Sequence, residues 1–306
     1  MNVLVTGVNG FVGKHLAREL KKRGDGIAGI GREANPAPEI KELIDSYWAC
    51  DLMDINAVAK LPLEKIEAVI NLAGLARVGD SFAEPEKYKA VNVGVLANLC
   101  QALVDKNLNP RTIAVSTSMV YDPHAPLPST EDSELTQNGS PYATSKILME
   151  EAASDFRTKG QDIVVVRPFN HIGPGQEEGF LVPDLYAKLR TAKTTGQAIK
   201  VGNLSTKRDY TDVRDVVKAY GDLAHAEGLK YDVYNVCSGK SVTGQEIFDR
   251  LLKLMGVIVK VESDPNLMRP SDNPDLFGSY QRLNQETGWK PVIPLQKTLS
   301  DFVASK

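Results

Sequence analysis

Gly7, Gly10 and Gly13 punctuate the first thirteen residues, Met1-Asn-Val-Leu-Val-Thr-Gly-Val-Asn-Gly-Phe-Val-Gly13. The apolar run before them reads as a buried strand. Lys14-His-Leu-Ala-Arg-Glu-Leu20 after them carries apolar residues at helical spacing. Strand, tight turn and helix are therefore fixed at the start of the chain. Gly7 permits the turn, Gly10 lets backbone approach a pyrophosphate, and Gly13 lets helix and strand pack closely. A pyrophosphate placed there meets free N–H groups at the helix N-terminus. A glycine triplet in another setting would be an ordinary tight turn. The strand before it and the helix after it point to a dinucleotide.

The same alternation continues. Strands are expected at 2–6, 27–31, 46–49, 68–72, 111–116, 163–167 and 233–236, and helices at 11–23, 55–60, 86–106, 141–159, 181–195 and 213–227. That order predicts an α/β fold, a Rossmann doubly wound parallel sheet, with ligands beyond the carboxyl ends of its strands. Past residue 170 the pattern loosens, with Gly and Pro clustered at 173–179 and Pro at 265, 270, 274, 291 and 294. Residues 170–202 and 239–306 are expected to form a smaller mixed α/β C-terminal substrate lobe. Residues 1–169 and 203–238 are expected to form the dinucleotide-binding domain.

Composition excludes several classes. A net charge of −3 without long runs of one sign leaves no electrostatic footprint for nucleic acid. No segment approaches the ~18 apolar residues of a membrane span, and a strand beginning at Asn2 leaves no room for a signal peptide. Cys50, Cys100 and Cys237 are scattered, and His15, His124, His171 and His225 form no metal-ligand spacing. The expectation is a cytoplasmic protein with no metal, no nucleic-acid partner and no membrane contact.

Asp51-Leu52 follows the third strand, where a carboxylate could accept from an adenine amino group or simply cap a helix, as Asp54 could equally do. The second strand ends in Ile30-Gly31-Arg32, without the carboxylate that would hold a ribose 2′-hydroxyl. A guanidinium there favours a 2′-phosphate, hence NADP(H), with NAD(H) left open as a second cofactor. The plain alternative is a solvated arginine.

The candidate catalytic centre is Tyr142-Ala-Thr-Ser-Lys146. This spacing is common by chance, but its context is not. Ser140-Pro141 starts a helix, which puts Tyr142 in the first turn and Lys146 one turn along on the same face. The helix dipole and the ammonium are expected to lower the phenol pKa. Such a tyrosine can exchange a proton with a substrate oxygen while hydride moves at the adjacent carbon. Ser116-Thr117-Ser118, at the end of the preceding strand, offers a hydroxyl partner.

Together these segments resemble the extended short-chain dehydrogenase/reductase family, which includes nucleotide-sugar epimerases, dehydratases and reductases. The likeness spans nearly the whole chain. It includes Asn71-Leu-Ala-Gly74, Val91-Asn-Val-Gly94, Arg167-Pro-Phe-Asn170, Arg208-Asp-Tyr-Thr-Asp-Val213 and Met268-Arg269-Pro270. The resemblance implies Thr117, Tyr142 and Lys146 as catalytic residues. It implies a cofactor held by Gly7, Asn9, Gly10, Phe11, Val12 and Gly13 of the loop and by Arg32, Asp51 and Leu52. Leu72, Ala73, Gly74, Asn92, Tyr142 and Lys146 would complete that site. A nucleotide-diphosphate sugar would meet Ser118, Asn170, Val182, Arg208 and Arg269, the arginines neutralising the diphosphate.

Sugar dehydratases of this family carry an acidic residue two positions after the catalytic hydroxyl. Met119 stands there and cannot abstract a proton. The segments Arg167–Gln176, Val233–Gly239 and Gly278–Pro291 are similar to reductases of GDP-4-keto-6-deoxymannose, which implies hydride delivery to C4 and GDP-D-rhamnose as product. A 4-epimerase with tightly bound NAD and a non-catalytic NADP-binding regulator are the other readings. The resemblance also implies a homodimer through a four-helix bundle. Val95, Leu99, Leu103, Leu148 and Met149 are its apolar candidates.

Overall fold

The computed structural model describes residues 1–267 and 273–306. The first half alternates β1 (Asn2–Thr6), α1 (Phe11–Arg23), β2 (Gly26–Gly31), β3 (Ser46–Ala49), α2 (Ile55–Ala59), β4 (Ala68–Asn71), α3 (Val78–Ser81), α4 (Pro85–Asp105) and β5 (Arg111–Val115). It continues with α5 (Pro141–Thr158), β6 (Ile163–Pro168), β7 (Asn170–Ile172), α6 (Leu181–Thr195), β8 (Ile199–Val201), β9 (Lys207–Asp212), α7 (Val213–His225) and β10 (Val233–Val236). The remainder is β11 (Ser241–Thr243), α8 (Gly244–Met255), β12 (Val261–Ser263), β13 (Asp275–Leu276), α9 (Gln281–Thr287) and α10 (Leu295–Ala304).

Seven strands form one parallel sheet in the order β10-β6-β5-β4-β1-β2-β3. It is covered on both faces, which is why its strands are continuous apolar runs. In β1, Val3 and Val5 face the core shared with α1 and α7, whereas Leu4 faces the core shared with α4. The order reverses between β1 and β4, so the crevice of this Rossmann fold opens beyond their carboxyl ends. Ser140 caps α5 as expected, accepting from the Ala143 N–H at 3.2 Å, with Pro141 in the first turn.

The second lobe is built on β9, which pairs with β7, β11 and β13; β8 and β12 form a separate pair. Ile172, Leu185, Leu189, Ile247, Leu251 and Phe302 fill its core. The segment 203–238 therefore divides. Its strand β9 sits in the second lobe, while α7 and β10 belong to the seven-stranded sheet. The last residues divide too, since Leu283 and Trp289 are buried with α1 and α7. Strand β9 escapes sequence pattern because Arg208, Asp209, Thr211 and Asp212 are buried polar residues, so it shows no apolar run. The passages between lobes are short. Phe169 alone separates β6 from β7, and Asp212, which ends β9, is also the cap of α7, accepting from the Arg214 N–H.

Among the described residues no helix is long and apolar enough to cross a membrane. The apolar surplus expected on α4 and α5 is largely used within the monomer. Val95, Leu99 and Leu103 pack on the sheet with Leu4 and Val69, Met149 packs with Leu96 and Val165, and only Leu148 of those five is half-exposed.

Candidate active site

Gly7 takes a left-handed backbone (φ 66°), and a side chain there would press on the Ala73 N–H at 3.1 Å. A Cβ at Gly13 would stand 2.5 Å from the Gly7 carbonyl, so the helix closes on the turn only without one. Gly10 is the N-cap of α1. It offers no side-chain cap, and no acid occupies the first turn. The N–H groups of Phe11, Val12 and Gly13 are thus open to an anion, which is the fit a pyrophosphate requires.

Asn9 ties this loop to the segment after β2. Its Oδ1 accepts from the Ala37 N–H at 2.8 Å, and its Nδ2 donates to Glu33 Oε2 at 2.9 Å and to the Tyr47 hydroxyl at 3.2 Å. Here the structure corrects the sequence reading. A carboxylate does stand at the end of β2. Glu33 folds back so that its Oε2 lies 2.8 Å from where a Gly31 Cβ would be. The Asn9 amide holds that carboxyl below the usual glutamate range. Arg32 beside it is exposed. A loop conformation, invisible to spacing, decides this. Asp51 is not a helix cap. Its Oδ1 accepts from the Met53 N–H, and Asp54 caps α2 instead. Leu52 is buried against α4.

The β4 end is fastened internally. Thr6 Oγ1 donates to Asn71 Oδ1 at 2.6 Å and accepts from the Ala73 N–H at 3.0 Å, while Leu72 is half-buried. Asn92 accepts from the Leu75 N–H at 2.7 Å and donates to Ser145 Oγ at 2.8 Å. Both ends of its amide are engaged in joining α4, the 74–75 turn and α5. A Cβ at Gly74 would stand 2.7 Å from Asn92 Oδ1, so that turn tolerates no side chain.

Tyr142 and Lys146 emerge side by side from the first turns of α5, both buried. Thr117, two residues past β5, lies beside the Tyr142 phenol, and its Oγ1 accepts from the Met119 N–H at 3.2 Å. Lys146 Nζ donates to the Val115 carbonyl at 2.7 Å. The three expected catalytic residues are thus together. Their electrostatics differ from expectation. Burial pushes the Tyr142 phenol up to about 12, with the Thr117 side chain opposing. Burial also brings Lys146 down to about 8, with Glu150 opposing. Desolvation is the largest influence on both groups. A phenol so raised keeps its proton at neutral pH.

The second lobe brings Asn170, half-buried on β7, beside Tyr210 of β9. Ser118 is buried in the turn after Thr117. Arg208 is buried and donates from Nη1 to the Lys207 and Asn273 carbonyls at 2.7 and 2.6 Å. The Val182 side chain lies in the lobe's apolar core. Arg269 lies outside the described residues. Phe11 meets His15 edge-on at 5.4 Å and stacks on His171 at 6.3 Å, and His15 Nε2 donates to the Pro174 carbonyl at 2.8 Å, so the glycine loop touches the second lobe directly. Besides Glu33, sequence reasoning missed a buried ion pair between Glu150 and Arg167. Its signal was Glu150 lying four residues past Lys146, on the same helix face.

A family model described as the NAD dependent epimerase/dehydratase family matches residues 3–237. GDP-6-deoxy-D-mannose reductase of Pseudomonas aeruginosa is 33% identical over 302 residues, covering 97% of this chain and 94% of that protein. UDP-glucose 4-epimerase of Pisum sativum is 27% identical over 332 residues, covering 98% and 93%. The solved structure of RMD from Pseudomonas aeruginosa complexed with NADPH aligns with a TM-score of 0.86 at 32% identity, over 99% of this chain and 98% of that one. MoeE5 in complex with UDP-glucuronic acid and NAD aligns at 0.87 and 26% identity, over 100% and 98%. A match that runs from β1 through β10, and so takes in both the open helix terminus and the assembled tyrosine and lysine, makes this chain a member of the NAD dependent epimerase/dehydratase family.

Proposed function

We propose that the protein is an NADP(H)-dependent reductase of the C4 keto group of a nucleotide-diphosphate 4-keto-6-deoxy sugar, converting GDP-4-keto-6-deoxy-D-mannose to GDP-D-rhamnose. The observation that carries this reading is an intact Thr117–Tyr142–Lys146 group in a chain similar over 97% of its length to GDP-6-deoxy-D-mannose reductase. NADPH, when bound, supplies hydride to the sugar C4. Tyr142 donates its proton to the C4 oxygen, Thr117 orients that phenol, and Lys146 holds ribose hydroxyls and stabilises the phenolate left behind. The N–H groups of Phe11, Val12 and Gly13 take the pyrophosphate, and Asp51 the adenine. Ser118, Asn170 and Arg208 face the nucleotide-sugar; Arg269, which the resemblance also assigns to it, lies outside the described residues. Val182, expected among them, turns its side chain into the lobe's apolar core instead. The test is incubation with NADPH and a panel of 4-keto-6-deoxy nucleotide-sugars, followed at the reduced-nicotinamide absorbance band. No oxidation with any member removes the reading.

A 4-epimerase uses the same three residues, and the 27% identity to UDP-glucose 4-epimerase keeps that reading second. It predicts NAD that copurifies and does not exchange, whereas a reductase releases its cofactor each turnover. Elimination of water is disfavoured because Met119 packs against an apolar cluster with Tyr121 and Phe169, offering no base. A non-catalytic regulator is disfavoured by the assembled tyrosine and lysine. The proposed assembly is a homodimer through α4 and α5, using half-exposed residues such as Val93, Ala97 and Leu148. Its proposed compartment is the cytoplasm, where the buried, unpaired Cys50, Cys100 and Cys237 stay reduced.

Arg32 and Glu33 pull cofactor choice in opposite directions. Arg32→Ala should weaken NADPH more than NADH, since it removes the cation for the 2′-phosphate. Glu33→Gln should do the reverse, removing a charge that repels it. Fluorescence titration of both nucleotides measures this, and equal changes in both affinities for either variant would discard that residue's role.

Activity should also fall on the alkaline side. Lys146 is an ammonium below about 8 and an amine above it, because burial depresses its folded value. kcat/KM for reduction is therefore expected to be full near neutrality and to decline as pH rises through about 8. A flat profile from neutrality to pH 9.5 would separate Lys146 protonation from the reaction.

A further inference from the structure

Three consecutive residues at the end of β5 face α5, and two of them are bonded to it. Thr117 lies beside Tyr142, the Val115 carbonyl accepts from Lys146 Nζ at 2.7 Å, and Ser116 Oγ donates to Glu150 Oε1 at 2.5 Å. Residues 142, 146 and 150 are four apart and share one face of the helix. Glu150 is thus the third rung of a ladder whose first two carry the proposed chemistry. Beyond its carboxylate lies Arg167 of β6, with Nε 3.0 Å from Oε1 and Nη2 2.6 Å from Oε2. Both side chains are buried, at 6% and 10% exposure. Arg167 Nη1 goes on to donate to the Tyr121 hydroxyl and the Glu131 carbonyl, each at 3.2 Å, which joins the pair to the 121–131 segment.

A buried ion pair is a poor device for merely holding a helix to a sheet, since apolar residues of similar volume usually do so at least as well. What an apolar pair cannot provide is a carboxylate one turn from Lys146, the end of the pair that acts on the ammonium while the guanidinium lies beyond it. We infer that Glu150 is a positioning residue for the reaction, a buried counter-charge that keeps Lys146 in its ammonium form and seats α5 where Tyr142 meets Thr117. The inference rests on reading Tyr142 and Lys146 as the catalytic pair.

The groups around Lys146 bear this out. Its own helix offers Tyr142 and Glu150. Strand β5 offers the Val115 carbonyl. From the 74–75 turn comes Gly74, whose Cβ position would be 3.8 Å from Lys146 Nζ, backed by the neutral Asn92 of α4. Strand β6 offers Arg167, balanced by Glu150, and the Tyr121 phenol beside it is driven up by burial and stays neutral. Burial drives Lys146 toward the amine, and Glu150 is the charge that opposes it.

The test is Glu150→Gln in the full chain, whose amide oxygen still accepts from Ser116. Two titrations are read. One is the ε-carbon resonance of Lys146, assigned by its loss in Lys146→Arg, which needs no substrate. The other is the alkaline limb of kcat. Both are expected to fall by about one pH unit or more, with a larger loss of kcat at pH 8 than at pH 6.5. If the glutamine variant does not fold, Glu150→Asp draws the carboxylate back by one methylene and should move both titrations part of the way. Titrations at the wild-type position in the folded variant, whatever its melting temperature, would reduce Glu150 to a structural brace and overturn the inference. Should the wild-type protein reduce none of the 4-keto sugars, the functional reading fails, and the Lys146 resonance alone still decides whether Glu150 holds its charge.

Discussion

Tyr142→Phe should lower kcat for C4 reduction by about two to four orders of magnitude, the range by which positioned general acids accelerate proton transfer. The substitution removes one oxygen. The ring keeps its edge contact with Tyr88 at 6.4 Å, and the helix start at Ser140-Pro141 is untouched. Folding and NADPH affinity should therefore hold, and the loss should appear in kcat rather than in KM. Burial, which raises the phenol to about 12, makes the argument sharper. A phenol that keeps its proton across the working range is always ready to donate in the reductive direction. Near wild-type turnover by the phenylalanine variant, measured by NADPH oxidation, would show that the proton comes from elsewhere.

The largest loss of stability is expected from Trp289→Ala. Trp289 is 2% exposed, in a core shared with Leu16, Leu20, Val216 and Tyr220. Its indole Nε1 donates to the Asp215 carbonyl at 2.9 Å, and its ring meets Tyr280 edge-on at 5.7 Å. Truncation leaves a cavity and removes the indole hydrogen bond to a carbonyl of α7, for a cost of about 3–5 kcal/mol. The denaturant midpoint, followed by far-UV circular dichroism, measures this. A shift worth under about 1 kcal/mol would mean that the site collapses around the missing ring, or that residues 281–291 are not part of the first lobe's core.

That residue also marks the limit of sequence reading. The first lobe was legible because its strands are uniformly apolar and its helices carry caps such as Ser140-Pro141, so local pattern and fold agree. The second lobe was not. Its strands β7, β8, β11 and β12 have three residues each, and β9 hides its pairing behind buried polar side chains. Trp289 follows Gly288 in a proline-rich stretch, and nothing local says that it crosses back to pack on α7. In the site, the glycines and the tyrosine–lysine pair were readable because their chemistry dictates spacing. Glu33 was not, because only the fold-back of the 32–37 segment onto Asn9 brings its carboxylate to the strand end. The phenol pKa was read with the wrong sign, since dipole and neighbouring charge can be inferred from spacing but depth of burial cannot.

The joints between the lobes limit how the molecule can move. With Phe169 as the sole residue between β6 and β7, and with Asp212 serving β9 and α7 at once, these crossings contain no slack. A rotation of one lobe could not be absorbed at these two points, which are already committed to sheets and a helix cap. The chain also passes between the halves at 237–240, 277–280 and 288–294. Any swing would therefore have to be taken up in those longer links, outside the glycine loop and the tyrosine helix.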